Sequence, residues 1–363
     1  LSNLVSGEAL NHSGTATIGS ANAGSYTITN LSGISIADGS GGTASNYTLT
    51  GGTHNFTVNQ RPLNATLARQ YDGTTNAAGS DLSSFDALQG GETLTLSGSG
   101  TAADDNVANG ISVSSLGTLA LVNGTGLASN YSLNTASLNI TKRVLSSSGS
   151  KTYDANTDAL AGAITLSNLV SGEALNHSGT ATIGSANAGS YTITNLSGIS
   201  IADGSGGTAS NYTLTGGTHN FTVNPKAISL SGTRLYDATT NAVASDLTTI
   251  SGRVGSETLA LSGTGSVANA NVGNNKTVTL GTLALGDGTG LAANYTLSGG
   301  THQLTVNQRP LAATIARQYD GTKTATGSDL SAFDALQGGE TLTLSGSGTV
   351  GDENVANGQG VTL

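Results

Sequence analysis

The chain has 363 residues with a formal net charge of −10, and only 9% of its residues are charged. It contains no cysteine, which excludes disulfides, thiol nucleophiles and cysteine-based zinc sites. The acidic balance, with a sequence pI of about 4.7, argues against nucleic acid as a partner. Glycine is abundant, with 53 residues, and the wealth of Ser, Thr and Asn is typical of short strands and turns rather than helices.

One unit of about 83 residues recurs along the chain. Four copies carry a Tyr-Asp pair, and successive pairs are 82, 83 and 83 residues apart. In chain order, this spacing predicts the C-terminal part of a repeat at 1–59, complete repeats at 60–141, 142–224 and 225–307, and the N-terminal part of a repeat at 308–363. We therefore expect an excerpt from a longer array. The pairs are Tyr71-Asp72, Tyr153-Asp154, Tyr236-Asp237 and Tyr319-Asp320.

Two stretches of the chain are copied within it. Residues 1–59 and 166–224 are identical at every position, and residues 60–101 differ from residues 308–349 at six positions. Such copying indicates recent duplication, which suits selection for the length of a spacer. The three prolines lie where one repeat passes to the next, so we expect short, extended connections and an elongated rod. They are Pro62, Pro225 and Pro310.

Apolar residues alternate with polar ones along each repeat, and this period of two predicts six to eight strands per repeat. A repeat of this length fits a small antiparallel β-sandwich with an Ig-like arrangement. The alternative fold is a β-solenoid, although its coils are usually much shorter. In the repeat 225–307 the predicted strands lie near 227–231, 233–237, 257–262, 276–285, 293–298 and 301–306.

Tyrosine is expected to carry much of the packing, because the chain has ten Tyr, four Phe and no Trp. A second tyrosine recurs in an Asn-Tyr pair. We interpret both kinds as core or corner residues whose hydroxyls bond to the backbone; the alternative is a stacking platform for sugar. On the first interpretation, Tyr236→Ala destabilises its repeat by about 3–5 kcal/mol. The Asn-Tyr tyrosines are Tyr47, Tyr131, Tyr212 and Tyr295.

Charged residues also recur at fixed positions. One basic residue lies two positions before each Tyr-Asp tyrosine, so the two side chains share one face of a strand. Another lies ten positions before it, and a glutamate follows a turn. We predict ion pairs between basic residues and Glu or Asp, within a repeat or across a junction, each worth about 0–1 kcal/mol where exposed. The residues are Arg69, Lys151, Arg234 and Arg317; Arg61, Arg143, Lys226 and Arg309; and Glu8, Glu92, Glu173, Glu257 and Glu340.

The aspartate of each Tyr-Asp pair precedes Gly or Ala, which predicts a turn closed by the Asp side chain on the backbone two residues later. The alternative is that the aspartate binds calcium, but the sequence contains no calcium-loop pattern. The adjacent acids Asp104-Asp105 are replaced by Ala268-Asn269 in the repeat 225–307. We therefore assign no metal site and no cofactor.

No residue pattern indicates an enzyme. A nucleophile or an acid–base set is expected once, in a pocket, rather than spread along a row of repeats. The histidines His54, His219 and His302 share one repeat position that is Ala136 in the remaining repeat. We predict no catalytic residue.

Four short elements recur together in the same order and carry a resemblance to a known family. They run from Arg69 to Thr75, Gly91 to Leu94, Asp104 to Val107 and Ser129 to Leu133 in the repeat 60–141. Their combination resembles the YDG-type repeat of large bacterial surface adhesins, which are similar in layout to filamentous-haemagglutinin-like exoproteins. Ala replaces Gly after Tyr153-Asp154 and Tyr236-Asp237.

The resemblance implies a secreted repeat region at the cell surface of a Gram-negative bacterium. On that basis we predict an adhesin stalk, which projects a binding region for cell–cell, surface or biofilm-matrix attachment. One alternative is a row of weak polysaccharide-binding modules with avidity. Another is the subunit of a laterally assembled extracellular fibre. The expected partners are extracellular polysaccharide, other cell surfaces or further copies of the chain, with no direct membrane insertion of this segment.

Overall fold

The computed structural model describes residues 1–193 and 195–362, and within them the protein consists of β-strands joined by turns. No α-helix occurs in these residues, so the predicted all-β tandem fold is confirmed. Nothing helical in this part of the chain has the length and hydrophobicity needed to span a membrane. Single 3₁₀ turns lie at Ala44–Asn46, Gly79–Asp81, Ala128–Asn130, Ala161–Ala163, Ala209–Asn211, Ala244–Asp246, Ala292–Asn294 and Gly327–Asp329.

The strands are numbered in chain order. The opening segment contains β1 (Asn11–Gly14), β2 (Gly24–Thr27), β3 (Ile34–Ala37) and β4 (Asn55–Val58). The repeat 60–141 contains β5 (Arg61–Gln70), β6 (Asn76–Ala78), β7 (Leu82–Phe85), β8 (Leu94–Ser97), β9 (Ser99–Ala102), β10 (Ala108–Ser115), β11 (Ala120–Asn123) and β12 (Tyr131–Thr141). The repeat 142–224 contains β13 (Arg143–Val144), β14 (Ser146–Thr152), β15 (Asp158–Leu160), β16 (Ile164–Ser167), β17 (Leu175–Thr182), β18 (Gly189–Thr192), β19 (Ile199–Asp203), β20 (Tyr212–Thr213) and β21 (His219–Asn224).

The remaining strands follow the same pattern. The repeat 225–307 contains β22 (Lys226–Ala227), β23 (Ser229–Leu235), β24 (Asn241–Val243), β25 (Thr249–Ser251), β26 (Leu259–Ser262), β27 (Thr264–Val267), β28 (Gly273–Thr279), β29 (Ala284–Asp287), β30 (Tyr295–Thr296) and β31 (His302–Asn307). The closing segment contains β32 (Ala313–Ile315), β33 (Thr324–Thr326), β34 (Leu330–Phe333), β35 (Ser347–Val350) and β36 (Val361–Thr362).

In each complete repeat, the first long strand runs parallel to the last strand. In the repeat 60–141, β5 pairs with β12, with Arg61 opposite Tyr131 and Leu67 opposite Leu138. The sheet order is β6-β9-β10-β12-β5-β7, and the repeat 225–307 has the equivalent order β24-β27-β28-β31-β23-β25. The predicted arrangement was antiparallel. The parallel pair differs because the other strands of the repeat form one long crossover between its first and last strands.

Alternate side chains of the parallel pair form the core. Leu63 and Leu67 on β5 and Leu138 on β12 are fully buried, as the period of two in a strand requires. A smaller cluster joins Leu63 to Leu94 and Tyr131 beside the paired strands β8 and β11. Each such side chain contributes about 1.5–3 kcal/mol when it is fully buried.

Every sheet in the described residues is built from the strands of one repeat. A solenoid pairs the strands of successive coils along a continuous sheet, so the structure corresponds to tandem domains and not to the solenoid alternative.

The strand predictions for the repeat 225–307 were partly wrong. The predicted strands near 227–231 and 233–237 belong mainly to one strand, β23. The predicted strand 276–285 is two strands, β28 and β29, because the chain turns at Gly281, where φ is +55°. The short strands β24, β25 and β27 were missed, since stretches of three or four residues show too little alternation.

The residues form two compact units, each described by itself. The first comprises Leu1–Ser146, Leu166–His177 and Ile201–Gly217, and the second comprises Ser147–Thr165, Ser178–Ser200 and Thr218–Leu363. The repeat 142–224 contributes to both units. Each unit therefore contains at least one junction between consecutive repeats, and the recurring residues meet at these junctions.

Candidate functional site

In the three complete repeats, the Tyr-Asp pair lies directly after the first long strand: β5, β14 or β23. The backbone N–H of Tyr71 donates to the carbonyl of Thr141, the last residue of β12, at 2.9 Å. The N–H groups of Tyr153 and Tyr236 make the equivalent bonds to the last strands of their own repeats. The parallel ladder thus fixes where each tyrosine leaves the sheet.

The aspartate then closes the predicted turn. Asp72 Oδ1 accepts a hydrogen bond from the backbone N–H of Thr74 at 3.0 Å, and the other three copies make the same bond. The residue between them has a left-handed backbone, with φ of +73° at Gly73 and +63° at Ala155. This conformation is easy for Gly and costs a residue with a side chain about 1–2 kcal/mol. The turn prediction is confirmed.

The basic residue two positions before the tyrosine pairs with this aspartate. Lys151 Nζ lies 2.8 Å from Asp154, and Arg234 lies 2.6 Å from Asp237. Arg69 and Arg317 pair with Asp72 and Asp320 in the same way. The predicted ion pair therefore lies within the turn and involves Asp rather than Glu.

The electrostatic effect on the turn is clearest at Asp154. Burial alone would raise its pKa, but hydrogen bonds from Lys151 and from the amide of Asn156 outweigh burial and lower the pKa below its ordinary value.

The glutamate joins two tyrosines from consecutive repeats. Tyr71 donates its hydroxyl hydrogen to Glu173 Oε1 of the next repeat at 2.6 Å, and Tyr212 donates to Glu173 Oε2 at 2.6 Å. The two rings meet edge to face, with centroids 5.4 Å apart and an interplanar angle of 79°. We call this arrangement the tyrosine latch. Edge-to-face rings contribute about 0.5–1.5 kcal/mol beyond their burial.

The tyrosine latch recurs at the next junction. Tyr153 donates to Glu257 Oε1 at 2.6 Å, and Tyr295 donates to Glu257 Oε2. Their rings are again 5.4 Å apart, edge to face. Burial, followed by the bond to Glu257, raises the pKa of Tyr153 to about 12. Burial and then Glu173 raise the pKa of Tyr212 to about 12.

In three of the four Asn-Tyr pairs, the asparagine clamps a loop of the preceding repeat. Asn211 Oδ1 accepts from the backbone N–H of Val107 at 2.9 Å, and its amide group donates to Asn106 at 2.8 Å. Asn294 binds Asn187 and Ala188, and Asn130 binds Asn22 and Ala23, with the same geometry. No role for this asparagine was predicted from the sequence, although it precedes the tyrosine of every Asn-Tyr pair.

Comparison with known proteins agrees with this recurring geometry. A family model described as the YDG domain matches residues 58–139, 135–220, 219–303 and 301–363. The chain belongs to the YDG domain family. None of the curated proteins and none of the solved structures matches it.

A basic residue at the start of a YDG repeat completes two of the junctions. Arg143 donates to the carbonyl of Tyr71 at 3.3 Å, and Arg309 donates to the carbonyl of Tyr236 at 2.7 Å. Arg61, the equivalent residue in the repeat 60–141, instead donates to Gln89 of its own repeat. The basic position ten residues before Tyr-Asp is therefore placed at the repeat boundary.

Not every YDG copy has a complete latch in the described residues. Tyr236 donates to Glu340 but is only half-buried, so we expect its replacement by Ala to cost less than the 3–5 kcal/mol predicted for a buried ring. In the described residues, the hydroxyls of Tyr47 and Tyr131 donate to the glutamates of their own repeats, Glu8 and Glu92, and accept from the backbone N–H groups of Val5 and Gln89. Tyr319 is exposed.

The described residues contain no cluster of three or more His, Asp or Glu side chains arranged to hold a metal ion. Chemically, the YDG junction is a set of partly buried hydrogen bonds and ring contacts that joins one repeat to the next.

Proposed function

We propose that this YDG array is a structural stalk, the repeat region of a secreted bacterial cell-surface adhesin. In this proposal it acts outside the cell and projects a binding region towards another cell, a surface or the biofilm matrix.

The observation that carries the proposal is the use of the recurring residues at the junctions. In the complete latches, both carboxylate oxygens of Glu173 and of Glu257 accept hydrogen bonds from tyrosines. Tyr71 and Tyr153 are buried there. Groups that already bond within the array are poorly placed to bind sugar, which supports a linking role over a binding role.

The parallel strands supply a second argument. The chain enters the repeat 60–141 at the start of β5 and leaves at the end of β12, and these strands are paired along most of their length. Tension between the two ends therefore shears the ladder and loads many backbone hydrogen bonds together. Such a geometry suits a stalk that bears force.

Single-molecule pulling of the 363-residue chain tests the proposal. Each complete repeat should unfold as a discrete event that releases about 270–300 Å of chain, at 3.3–3.6 Å per residue. Ser137→Pro in β12 removes a ladder bond and should lower the unfolding force of its repeat, whereas Ser83→Pro in the edge strand β7 should lower it less. Equal effects of the two prolines, or unfolding without discrete events, would contradict the proposal.

The polysaccharide alternative has a separate test. The chain is applied to a glycan array. Binding that becomes tighter as the number of repeats increases would favour a row of binding modules over a stalk.

A further inference from the structure

Two of the loops bound by an asparagine clamp also bond to a tyrosine on the strand that follows them. In the repeat 142–224, the hydroxyl of Tyr191 on β18 donates to the carbonyl of Asn187 at 2.7 Å. In the opening segment, the hydroxyl of Tyr26 on β2 donates to the carbonyl of Asn22 at 2.6 Å. The carbonyl of this loop therefore receives a donor from a fixed position of the repeat.

In the repeat 225–307, this position is a lysine. Lys276 on β28 stands where the repeat 142–224 has Tyr191, because both lie opposite equivalent residues of the last strand. Its ammonium group donates to the carbonyl and the side-chain oxygen of Asn269, at 2.6 and 2.7 Å, and to the carbonyl of Asn271 at 2.5 Å. Three oxygen atoms of the loop thus converge on one positive charge.

The repeat 60–141 has no donor at this position. The equivalent residue is Ile111, which is 8% exposed and belongs to the hydrophobic core. The loop itself keeps the same turn, since Asp104 Oδ1 accepts from the backbone N–H of Asn106 at 2.9 Å and the lysine-bound loop makes the equivalent bond. Within the described residues, no side chain donates to the carbonyl of Asn106.

The charge of the loop changes in the opposite sense. Asn269 and Ala270 of the lysine-bound loop are neutral, and the first complete repeat has Asp104 and Asp105 at these positions. In the part of the chain that the structure describes, no salt bridge joins either acid to a basic residue. Hydrogen bonds from Asn106, first from its backbone N–H and then from its side chain, lower the pKa of Asp104 below its ordinary value. This loop therefore carries negative charge where its counterpart carries a lysine.

A second acidic loop has its own positive charge. The closing segment has Asp352 and Glu353 at the same positions, and Lys323 lies 3.3 Å from Glu353. The side chain of Gln359 donates to the carbonyl of Asn354 at 3.1 Å, as the tyrosines do in other copies. Within the described residues, the acidic loop of the first complete repeat alone lacks both a basic partner and a side-chain donor to its carbonyl.

We infer that the loop of the repeat 60–141 binds a divalent cation of the calcium class. The carboxylates of Asp104 and Asp105 and the carbonyl oxygen of Asn106 are its ligands, and water completes the coordination. Such a mixture of carboxylate, carbonyl and water oxygens suits Ca²⁺ better than Mg²⁺, which demands a near-ideal octahedron. An exposed site with two carboxylates should have a Kd of about 10⁻⁴–10⁻³ M, the range of extracellular calcium modules.

The lysine-bound loop also answers the sequence argument against a metal site. That argument rested on the absence of the acids from the repeat 225–307, where Lys276 supplies the positive charge instead. The inferred site lies beside a junction, because Asn211 of the next repeat bonds to Asn106 and Val107. A bound cation should therefore stabilise the asparagine clamp, and this effect does not depend on the stalk function.

Titration calorimetry of the full chain with calcium chloride, in about 0.15 M salt, tests the inference. We expect one saturable site. Asp104→Asn and Asp105→Ala should each weaken it about tenfold or more, and both introduce the residue that the repeat 225–307 has there, so the fold is kept. Asp352→Asn is the charge-matched control, since Lys323 already serves that loop, and should change the affinity less than about twofold.

The converse change should create a second site. Lys276→Ile, Asn269→Asp and Ala270→Asp together give the repeat 225–307 the acidic loop, and the chain should then bind two calcium ions. Hydrogen exchange of the Val107 amide should slow on addition of calcium to the wild type but not to Asp104→Asn. No saturable binding below about 10 mM calcium, or equal weakening by Asp104→Asn and the control, would overturn the proposal.

Discussion

Residues 1–59 and 166–224 have identical sequences but different environments. Asn211 is buried and clamps Val107, whereas the identical Asn46 is exposed. The strand β21 pairs with β14, while β4 lacks a parallel partner in the described residues. Since the sequence is the same, the difference comes from the neighbouring strands. The second half of a repeat depends on the first half and on the preceding repeat for its burial.

Residues 60–101 and 308–349 allow the same comparison for the first half of a repeat. The local sequence Arg-Gln-Tyr-Asp-Gly-Thr surrounds both Tyr71 and Tyr319, and both make the same aspartate turn. Tyr71 is 5% exposed because Glu173 and Tyr212 of the next repeat cover it. Tyr319 has no such cover in the described residues and is exposed. The turn therefore depends on local sequence, whereas the tyrosine is buried only where the next repeat packs against it.

The largest effect is expected from replacing the tyrosine of the Tyr-Asp pair, at a buried copy and at an exposed copy. Tyr153→Ala should destabilise its junction by about 3–5 kcal/mol, because it removes a buried ring and a hydrogen bond. Tyr319→Ala should change the free energy of unfolding by less than about 0.5 kcal/mol. Denaturant unfolding, fitted with nearest-neighbour coupling between repeats, measures both. Similar losses at the two positions would contradict the contrast.

A smaller effect is expected at the glutamate. Glu257→Gln should cost about 2–3 kcal/mol, because the amide cannot accept both tyrosine hydroxyls and one is left buried without a partner. Glu92→Gln is the matched control, since Glu92 accepts only the hydroxyl of Tyr131. Because the amide oxygen of Gln can still accept that one hydroxyl, we expect a cost below about 1 kcal/mol. A larger loss at Glu92 would show that the junction is not the origin of the effect.

The asparagine clamp should contribute less again. Asn294→Ala removes the acceptor for Ala188 N–H and should cost about 1–2 kcal/mol. Asn46→Ala, at the equivalent exposed position, should be close to neutral. Hydrogen exchange of the Ala188 amide gives a local readout, because its protection should fall only in the first variant.

Alkaline pH should weaken the latch without any effect at neutral pH. The pKa of Tyr153 is raised to about 12, above the ordinary value of about 10 for an exposed tyrosine. A raised pKa gives stability that is complete below pH ~10 and is lost as the pH rises towards ~12. Unfolding measured over this window should therefore show falling stability. Tyr153→Phe should flatten the curve, and an unchanged slope would contradict this account.

The sequence predicted the repeat, the turn and the ion pair, because each depends on residues within a few positions of each other. Asp72 reaches Thr74 along the backbone, and Arg69 shares a strand face with Tyr71. The parallel pair of β5 and β12 was missed because alternation reveals a strand but not its partner.

The hydrogen-bond partner of the Tyr-Asp tyrosine could not be predicted from the sequence either. Tyr71 bonds to Glu173, and the glutamate of its own repeat, Glu92, occupies the same repeat position. Periodicity cannot distinguish a contact within a repeat from the same contact with the next repeat. The Asn clamp was missed for the same reason, since its acceptor role appears only when Val107 of the preceding repeat is placed beside Asn211.

A double-mutant cycle between Tyr153→Phe and Glu257→Gln tests the central claim most directly, because these residues lie in consecutive repeats and are joined by one hydrogen bond of 2.6 Å. Unfolding free energies of the wild type, both single variants and the double variant isolate their interaction. We predict a coupling energy of about 1–2 kcal/mol. Additive effects, with a coupling energy near zero, would contradict the claim that the Tyr-Asp motif joins one repeat to the next.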